Sequence, residues 1–328
     1  MTYELLVPYG LDEGGTLVHA KDASARAGYS CPCCGGQLVL KAGEVNAKHF
    51  AHRADSNCAG ESYEHETAKL LIAKVINDLV DYPQAAKQVT LVCTCDCCTG
   101  QFPRLLPRDS FSVALVEERV GLFTCDVVGM KGEDQVLGIE VCNTNPVNRK
   151  KADSLAIPWV ELGAGAVVED PYRWAPTQSG KLKAVLCDKC KSFQKKLKLV
   201  AAGWNQPLDP YGGYRDPMRA DYLAALRNCW SCSAEFLAYW WAGVPFCQSK
   251  PPAPVPPTVQ YRKSRAYKDA YWANCCPKCG AMDGDNFLFR NLDGKSPFKG
   301  LPLQDTEEIK AYRKKQGMGL VQYMLRNF

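Results

Sequence analysis

The spacing of the cysteines constrains this chain more than any other feature. Eighteen cysteines occur in 328 residues, and ten of them form five Cys-x-x-Cys pairs: Cys31/Cys34, Cys95/Cys98, Cys187/Cys190, Cys229/Cys232 and Cys276/Cys279. Such a pair on a tight turn presents two thiolates to one metal, and two such turns complete a tetrahedral zinc shell. Proline and glycine stand where tight turns need them, in Cys31-Pro32, Cys34-Gly35, Cys276-Pro277 and Cys279-Gly280. A secreted disulfide scaffold would be the other use of so many cysteines. The opening residues have neither a basic stretch nor an apolar one of the secretory kind. The longest apolar run, residues 236–246, follows Glu235 and is too short to span a bilayer. The expectation is a cytoplasmic protein with no membrane contact, reduced thiols and about three structural zinc ions.

The pairs combine unevenly. Cys31 and Cys34 are followed by His49, His52 and Cys58, and three of the four histidines lie between positions 49 and 65. One zinc is expected on Cys31, Cys34, Cys58 and one of the two histidines, with His52 chosen. Both histidines together, with Cys58 free, is the alternative. Cys229/Cys232 and Cys276/Cys279 read as one long-loop zinc ribbon, with the proline-rich residues 251–257 in the connecting loop. Cys95/Cys98 and Cys187/Cys190 are left to share a third zinc by elimination, and Cys93 or Cys97 could substitute in the first of them. Four protein ligands leave no open position for water, so these sites are expected to stabilise the fold rather than catalyse.

Charge divides the chain. Residues 181–328 carry 24 Lys+Arg against 12 Asp+Glu, and residues 1–180 carry 16 against 23. A basic half suits a polyanion, and an acidic half suits a cation. The basic half holds seven lysines in residues 181–198, the alternating run Tyr-Arg-Lys-Ser-Arg-Ala-Tyr-Lys at 261–268, and a further basic run at 310–315. Lys and Arg neutralise phosphates, and aromatic rings stack on unpaired bases. Trp230, Tyr239, Trp240, Trp241 and Trp272 lie near the cysteine pairs; such aromatics more often build the small core that a zinc ribbon lacks.

Three domains are expected: a zinc-finger module over 1–60, an α/β core over 61–180, and a basic zinc-ribbon region over 181–328. Residues 61–81 predict a helix, because Leu70, Leu71, Ile72, Val75, Ile76 and Leu79 recur at core-face spacing. Strands are expected at 89–93, 111–116, 121–128, 136–141 and 157–162, with a short helix over 148–155. That order is an α/β sandwich. Asp126 and Glu140 fall on neighbouring strand candidates, where two carboxylates can meet at one sheet edge and hold Mg²⁺ through oxygen. Glu61 or Glu64 on the helix is a further carboxylate, with His65 and Lys69 one turn apart beside it.

Residues 29–69 resemble the competence protein CoiA-like family, through Cys31-Pro32-x-Cys34, Lys48-His49-Phe50-Ala51-His52 and Glu61-Ser62-x-x-His65-x-x-x-Lys69. Cys125-Asp126-Val127-Val128, Gly138-Ile139-Glu140-Val141 and Ile157-Pro158-Trp159-Val160-Glu161-Leu162 are similar to that family's nuclease core. The resemblance implies an α/β, restriction-endonuclease-like core of the PD-(D/E)xK group, with helix, mixed sheet and helix, between the N-terminal zinc module and the C-terminal zinc ribbons. It implies a Mg²⁺- or Mn²⁺-dependent nuclease acting on DNA, with Asp126, Glu140 and Glu64 in the site. The group's lysine position is here Cys142, so either Lys69, Lys150 or Lys151 takes its place, with Lys69 preferred, or the site binds metal and cuts slowly, or the site is silent. A silent site leaves an adaptor for nucleic acid or for a protein partner such as a polymerase. Competence, defence, and phage or plasmid DNA processing would each use either version.

Overall fold

A computed structural model describes residues 7–43, 47–53, 58, 60–96, 98–144, 146–183, 185–206, 208, 222–265, 267–299, 301, 303 and 304. The side chain of Glu61, and with them Cys97 and the basic run 310–315, lie outside the described residues. The fold is mixed α/β with several small sheets. It divides into two compact units: Met1–Cys93 with Gln101–Lys183, and Thr94–Gly100 with Ala184–Phe328.

The first unit opens with a small sheet over the expected zinc-finger module. Its strands are β1 (Tyr9–Leu11), β2 (Leu17–His19), β3 (Tyr29–Ser30), β4 (Gln37–Lys41) and β5 (His49–His52), in the order β2-β1-β3-β4-β5. The strands are two to five residues long, too short for any periodic signal. Helix α1 (Gly60–Asp81) follows, and Tyr63 on it ties the two together. Its hydroxyl accepts from Tyr9 N and faces Tyr9 O, each at 3.0 Å.

Strands β6 (Thr90–Thr94) and β7 (Gln101–Leu105) come next, then a meander of β8 (Val113–Val120), β9 (Phe123–Lys131) and β10 (Asp134–Cys142). Helix α2 (Arg149–Ser154) leads into β11 (Trp159–Gly163), which runs parallel to β10. Helix α3 (Ala164–Glu169) and strands β12 (Arg173–Trp174) and β13 (Gln178–Gly180) complete the unit. The main sheet has the order β13-β11-β10-β9-β8, and β12-β6-β7 form a second sheet. Of the predicted α1 stripe, Leu71, Ile72, Val75, Ile76 and Leu79 are buried, together with Ala68, against Val127, Ile139, Val160 and Leu162 of the sheet, and Leu70 is half-buried beside them. The opposite side of the sheet is closed by Leu155, Trp159, Cys125 and Val128, with Val147 and Ala152. Both faces of the central strands are therefore covered, which explains their near-continuous apolar runs.

The second unit holds α4 (Asp188–Gly203), the hairpin β14 (Tyr222–Asn228) and β15 (Glu235–Trp241), the hairpin β16 (Val259–Lys263) and β17 (Ala270–Asn274), and α5 (Asp285–Leu288). Tyr239, Trp240 and Trp241 are buried in its core with Phe236, Phe289 and Phe298. Two buried amides lock the pieces. Gln206 bonds both Leu237 backbone groups and Thr258, and Asn274 bonds both Tyr239 backbone groups. The lysine-rich run of residues 181–198 falls partly on α4, where Cys190, Leu197 and Ala201 face inward and the lysines stay in solvent. Among the described residues no helix is long and apolar enough to cross a membrane.

Candidate functional site

Four of the five cysteine pairs, or their first turns, repeat one backbone device. The residue four after the first cysteine donates to that cysteine's carbonyl: Gly35 to Cys31, Thr99 to Cys95, Ser233 to Cys229 and Gly280 to Cys276, at 2.8–3.0 Å. Each first cysteine's own amide then donates across the turn, to Gly36, Gly100, Ala234 and Ala281. The turn needs a left-handed residue at its fourth step, and φ there is 68° at Gly35, 57° at Thr99, 57° at Ser233 and 71° at Gly280. Amides inside the turns aim at sulfur, as from Cys33 N to Cys31 Sγ and Ser231 N to Cys229 Sγ, both 3.4 Å. Such donors favour a thiolate. The fifth pair is built differently: Cys187 caps α4 and Cys190 lies in its first turn.

These turns meet in three groups: Cys31, Cys34, His52 and Cys58; Cys95, Cys98, Cys187 and Cys190; Cys229, Cys232, Cys276 and Cys279. Within each group the ligand atoms lie within 4.8 Å of one another. The spacing carries more information than the proximity. A tetrahedron with metal–sulfur bonds of ~2.3 Å has edges of about 3.8 Å, and a mixed sulfur–nitrogen edge is about 3.6 Å. The sulfurs stand 3.8 Å apart for Cys31–Cys58, 3.9 Å for Cys98–Cys187, 3.6 Å for Cys229–Cys279 and 3.7 Å for Cys232–Cys276. Cys34 Sγ lies 3.6 Å from His52 Nε2. All are far beyond the ~2.05 Å of a disulfide. The three clusters could therefore each hold one metal ion. His52, not His49, faces the first; His49 Nδ1 is 2.7 Å from the Ala47 carbonyl. Cys93 is buried at the end of β6 and stands outside the second cluster.

The carboxylates assemble at the sheet. The antiparallel register of β9 and β10 reaches Val127↔Ile139. At the next step Asp126 turns its side chain inward, and Oδ2 accepts from Val141 N at 2.7 Å. The same oxygen is 3.5 Å from His65 Nε2 on α1. Burial pushes the Asp126 carboxyl up, but the His65 ring, the Val141 amide and the Lys69 charge outweigh it and hold it below the usual value. The Asp126 carboxylate in turn raises His65, against the opposing effect of burial.

Glu140 is buried on β10, opposite Glu161 of β11. Its Oε2 lies 2.7 Å from Lys151 Nζ, and its buried Oε1 accepts no well-formed hydrogen bond. The Cys125 thiol beside it is a weak donor only. Burial raises Glu140, opposed by Lys151 and Cys125. Lys151 reaches this point because Asn148 caps α2. The Asn148 side chain accepts from Lys151 N at 3.0 Å, and Lys151 Nζ also donates to Thr124 O at 2.6 Å. Glu161, also buried, is fully engaged: it accepts from Val147 N and from the Thr177 hydroxyl, each at 2.5 Å.

The remaining residues singled out from the sequence stand apart from this pair. Lys69, preferred from the sequence as the displaced lysine, is buried and bonds Glu66 and Glu117 at 2.7 Å each. The lysine against Glu140 is Lys151. The difference arises because α1 turns Lys69 toward β8, where Glu117 meets it in a left-handed conformation (φ 55°). Glu64 has its Oε2 toward α3, where a β-carbon at Gly165 would lie 3.8 Å away. Among the described residues Asp126, Glu140 and Glu64 do not close into a fourth group of ligand atoms within 4.8 Å. Cys142 ends β10, half-buried, with its thiol raised by burial and by Glu161.

Residues 16–61 match the family model of the competence protein CoiA, N-terminal domain. That segment contains Cys31, Cys34, His52 and Cys58 and ends at the start of α1. No curated protein and no solved structure matches the chain.

Proposed function

We propose, from the match of residues 16–61 to the CoiA N-terminal domain, that this chain is a metal-dependent nuclease acting on DNA, with a restriction-endonuclease-like core and three structural zinc ions. One observation carries the reading: a buried glutamate, Glu140, has one oxygen on Lys151 and the other free of a well-formed partner. A buried carboxylate oxygen with no donor beyond a weak thiol is costly unless a cation takes it. Asp126, on the adjacent strand, is held ionised beside it. The order α1, β8-β9-β10, α2, β11, with β11 parallel to β10, supports the core assignment. The half-made tetrahedra of sulfur support zinc, a metal that thiolate and imidazole ligands favour.

The residues fit a hard divalent cation, which Asp126 and Glu140 would hold. Such a cation supplies acidity to a bound water and neutralises charge on the scissile phosphate. Lys151 fixes the Glu140 carboxylate with one N–H and the Thr124 carbonyl with a second, which leaves one proton for a phosphate oxygen. This is the task that the motif position, Cys142, cannot perform as a neutral thiol. His65 orients Asp126 from α1. Glu64 stands on the α3 side and Lys69 holds α1 to β8, so both act on the site through its frame.

The competing reading is an adaptor that keeps the fold and binds nucleic acid or protein without cutting; Cys142 favours it. Incubation of the purified protein with single- and double-stranded DNA and RNA, in Mg²⁺ and in Mn²⁺, separates the two. The nuclease reading expects metal-dependent cleavage of DNA that falls by at least a hundredfold in Glu140→Gln and Lys151→Met. Folded, zinc-loaded protein that cuts nothing under any condition sinks it and leaves the adaptor.

A further inference from the structure

The aromatic residues of the second unit fall into two populations, and only one of them is explained by the core. Tyr222, Phe236, Tyr239 and Trp241 are buried completely. Tyr261, by contrast, is 52% exposed on β16, whose residues after Val259 all face solvent. The register places Tyr261 opposite Trp272 and Lys263 opposite Ala270, so Tyr261, Lys263 and Trp272 share one face of the hairpin. The Tyr261 and Trp272 rings are 5.6 Å apart and tilted. Trp272 is packed against the core beneath, which fixes the platform under the free ring. In the turn between the strands, Tyr267 stacks on Phe246 at 4.2 Å, and Arg290 lies over the Phe246 ring.

The cations around these rings are uncommitted. Among the described residues, none of Arg262, Lys263, Arg265 and Lys268 forms an ion pair. Arg262 makes only a side-chain bond to Gln260. The nearby buried acid, Asp283, is already taken by Arg227 at 2.8 Å. On α4 two of the lysines, Lys191 and Lys196, are paired with Asp188 and Glu235.

We propose that the β16–β17 hairpin is a docking surface for single-stranded DNA, with Tyr261 stacking on an unpaired base and Lys263 and Arg265 on the flanking phosphates. A duplex hides the base faces that an exposed ring needs, whereas a single strand offers every one of them without regard to sequence. The phosphate contacts make the binding steeply salt-dependent. The surface belongs to the second unit and needs no cleavage to act; the choice of DNA over RNA rests on the nuclease reading.

The test uses the full zinc-loaded chain carrying Glu140→Gln, without added Mg²⁺ or Mn²⁺, so that binding is read apart from cutting. Fluorescence anisotropy measures Kd for a labelled oligo-dT, an equal-length duplex and an equal-length RNA at two salt concentrations. The expected result is a Kd for oligo-dT at least tenfold below those of the duplex and the RNA. It rises at least fivefold in Tyr261→Ala and in Lys263→Gln, and is restored in Tyr261→Phe, which keeps the ring. Tyr261 is half in solvent, so the alanine variant folds, and an unchanged circular dichroism spectrum verifies it. Binding of duplex or RNA as tight as of oligo-dT overturns the proposal, as does a Kd that Tyr261→Ala leaves unchanged. The cleavage assay on the Glu140-intact protein stands separately: lost cleavage with retained oligo-dT binding removes the nuclease reading and leaves the hairpin.

Discussion

Replacing Lys151 by methionine isolates the ion pair at the candidate site. Lys151 Nζ and Glu140 Oε2 are 2.7 Å apart, with side chains 18% and 6% exposed. Unit charges ~4 Å apart at an effective dielectric near 20 attract by about 4 kcal/mol. Removing one partner of a buried pair costs roughly 3–5 kcal/mol, because the other charge stays behind unpaired. Lys151 keeps some solvent contact, so the expected loss lies at or below the lower end of that range, about 2–3 kcal/mol at pH 8. Methionine fills a similar volume, which keeps cavity formation out of the result. The pH dependence follows from Glu140, which burial raises while Lys151 opposes the rise; without Lys151 it rises further. A carboxyl raised in the folded state binds its proton more readily there than when unfolded. Its contribution to stability is full below the unfolded pKa and is lost as pH rises through the folded one. The deficit of Lys151→Met relative to the parent therefore grows from about pH 5 to pH 8. For a unit of this size, 2–3 kcal/mol corresponds to a fall in Tm of about 4–12 °C. Scanning calorimetry at both pH values reads it, and Glu140→Gln/Lys151→Met closes the cycle. A fall below about 1 °C at pH 8, or an equal fall at both pH values, refutes the buried pair.

The other expectations are shorter. Plasma emission spectrometry should find three zinc ions per chain and two in Cys276→Ser. That variant should also lose cooperative unfolding of the second unit, since a structural zinc site is worth ~10–16 kcal/mol of folding free energy; unchanged metal content would refute the ligand assignment. The His65 ring should titrate above the ordinary histidine value, because Asp126 raises it. Its stabilisation is then full below ~6.5 and lost as pH rises through the folded pKa; an NMR titration that Asp126→Asn leaves unshifted would contradict this. A β-carbon at Gly129 would stand 2.4 Å from Phe111 Cε1, so Gly129→Ala should cost about 1–3 kcal/mol in chemical denaturation. At the left-handed turn positions Ser233→Gly should be neutral or stabilising, whereas Gly280→Val should cost ~1–2 kcal/mol; the reverse order would deny the shared turn.

The sequence by itself determined the elements with strong local signals. The Cys-x-x-Cys turns announced themselves through spacing, proline and glycine. Helix α1 did so through Leu70, Leu71, Ile72, Val75, Ile76 and Leu79, and β8 to β11 through apolar runs of strand length. It also brought out Asp126 and Glu140 as carboxylates on neighbouring strands. Tertiary structure decided what local pattern cannot encode. The strands of the N-terminal module are two to five residues long, below any measurable period, so their sheet exists only through pairing. The choice of His52 over His49 turns on strand alternation: in β5 the two residues are three apart and face opposite sides. Lys69 and Lys151 are indistinguishable as lysines. Helix α1 aims the first at Glu117, and the Asn148 cap starts α2 so that the second reaches Glu140. The aromatics near the cysteines were one group in the sequence; burial divided them into a core of Tyr239, Trp240 and Trp241 and an exposed Trp230, and left Tyr261 of the basic run half in solvent. In each case a residue's chemistry was written locally, but its partner was chosen by contacts between segments far apart in the chain.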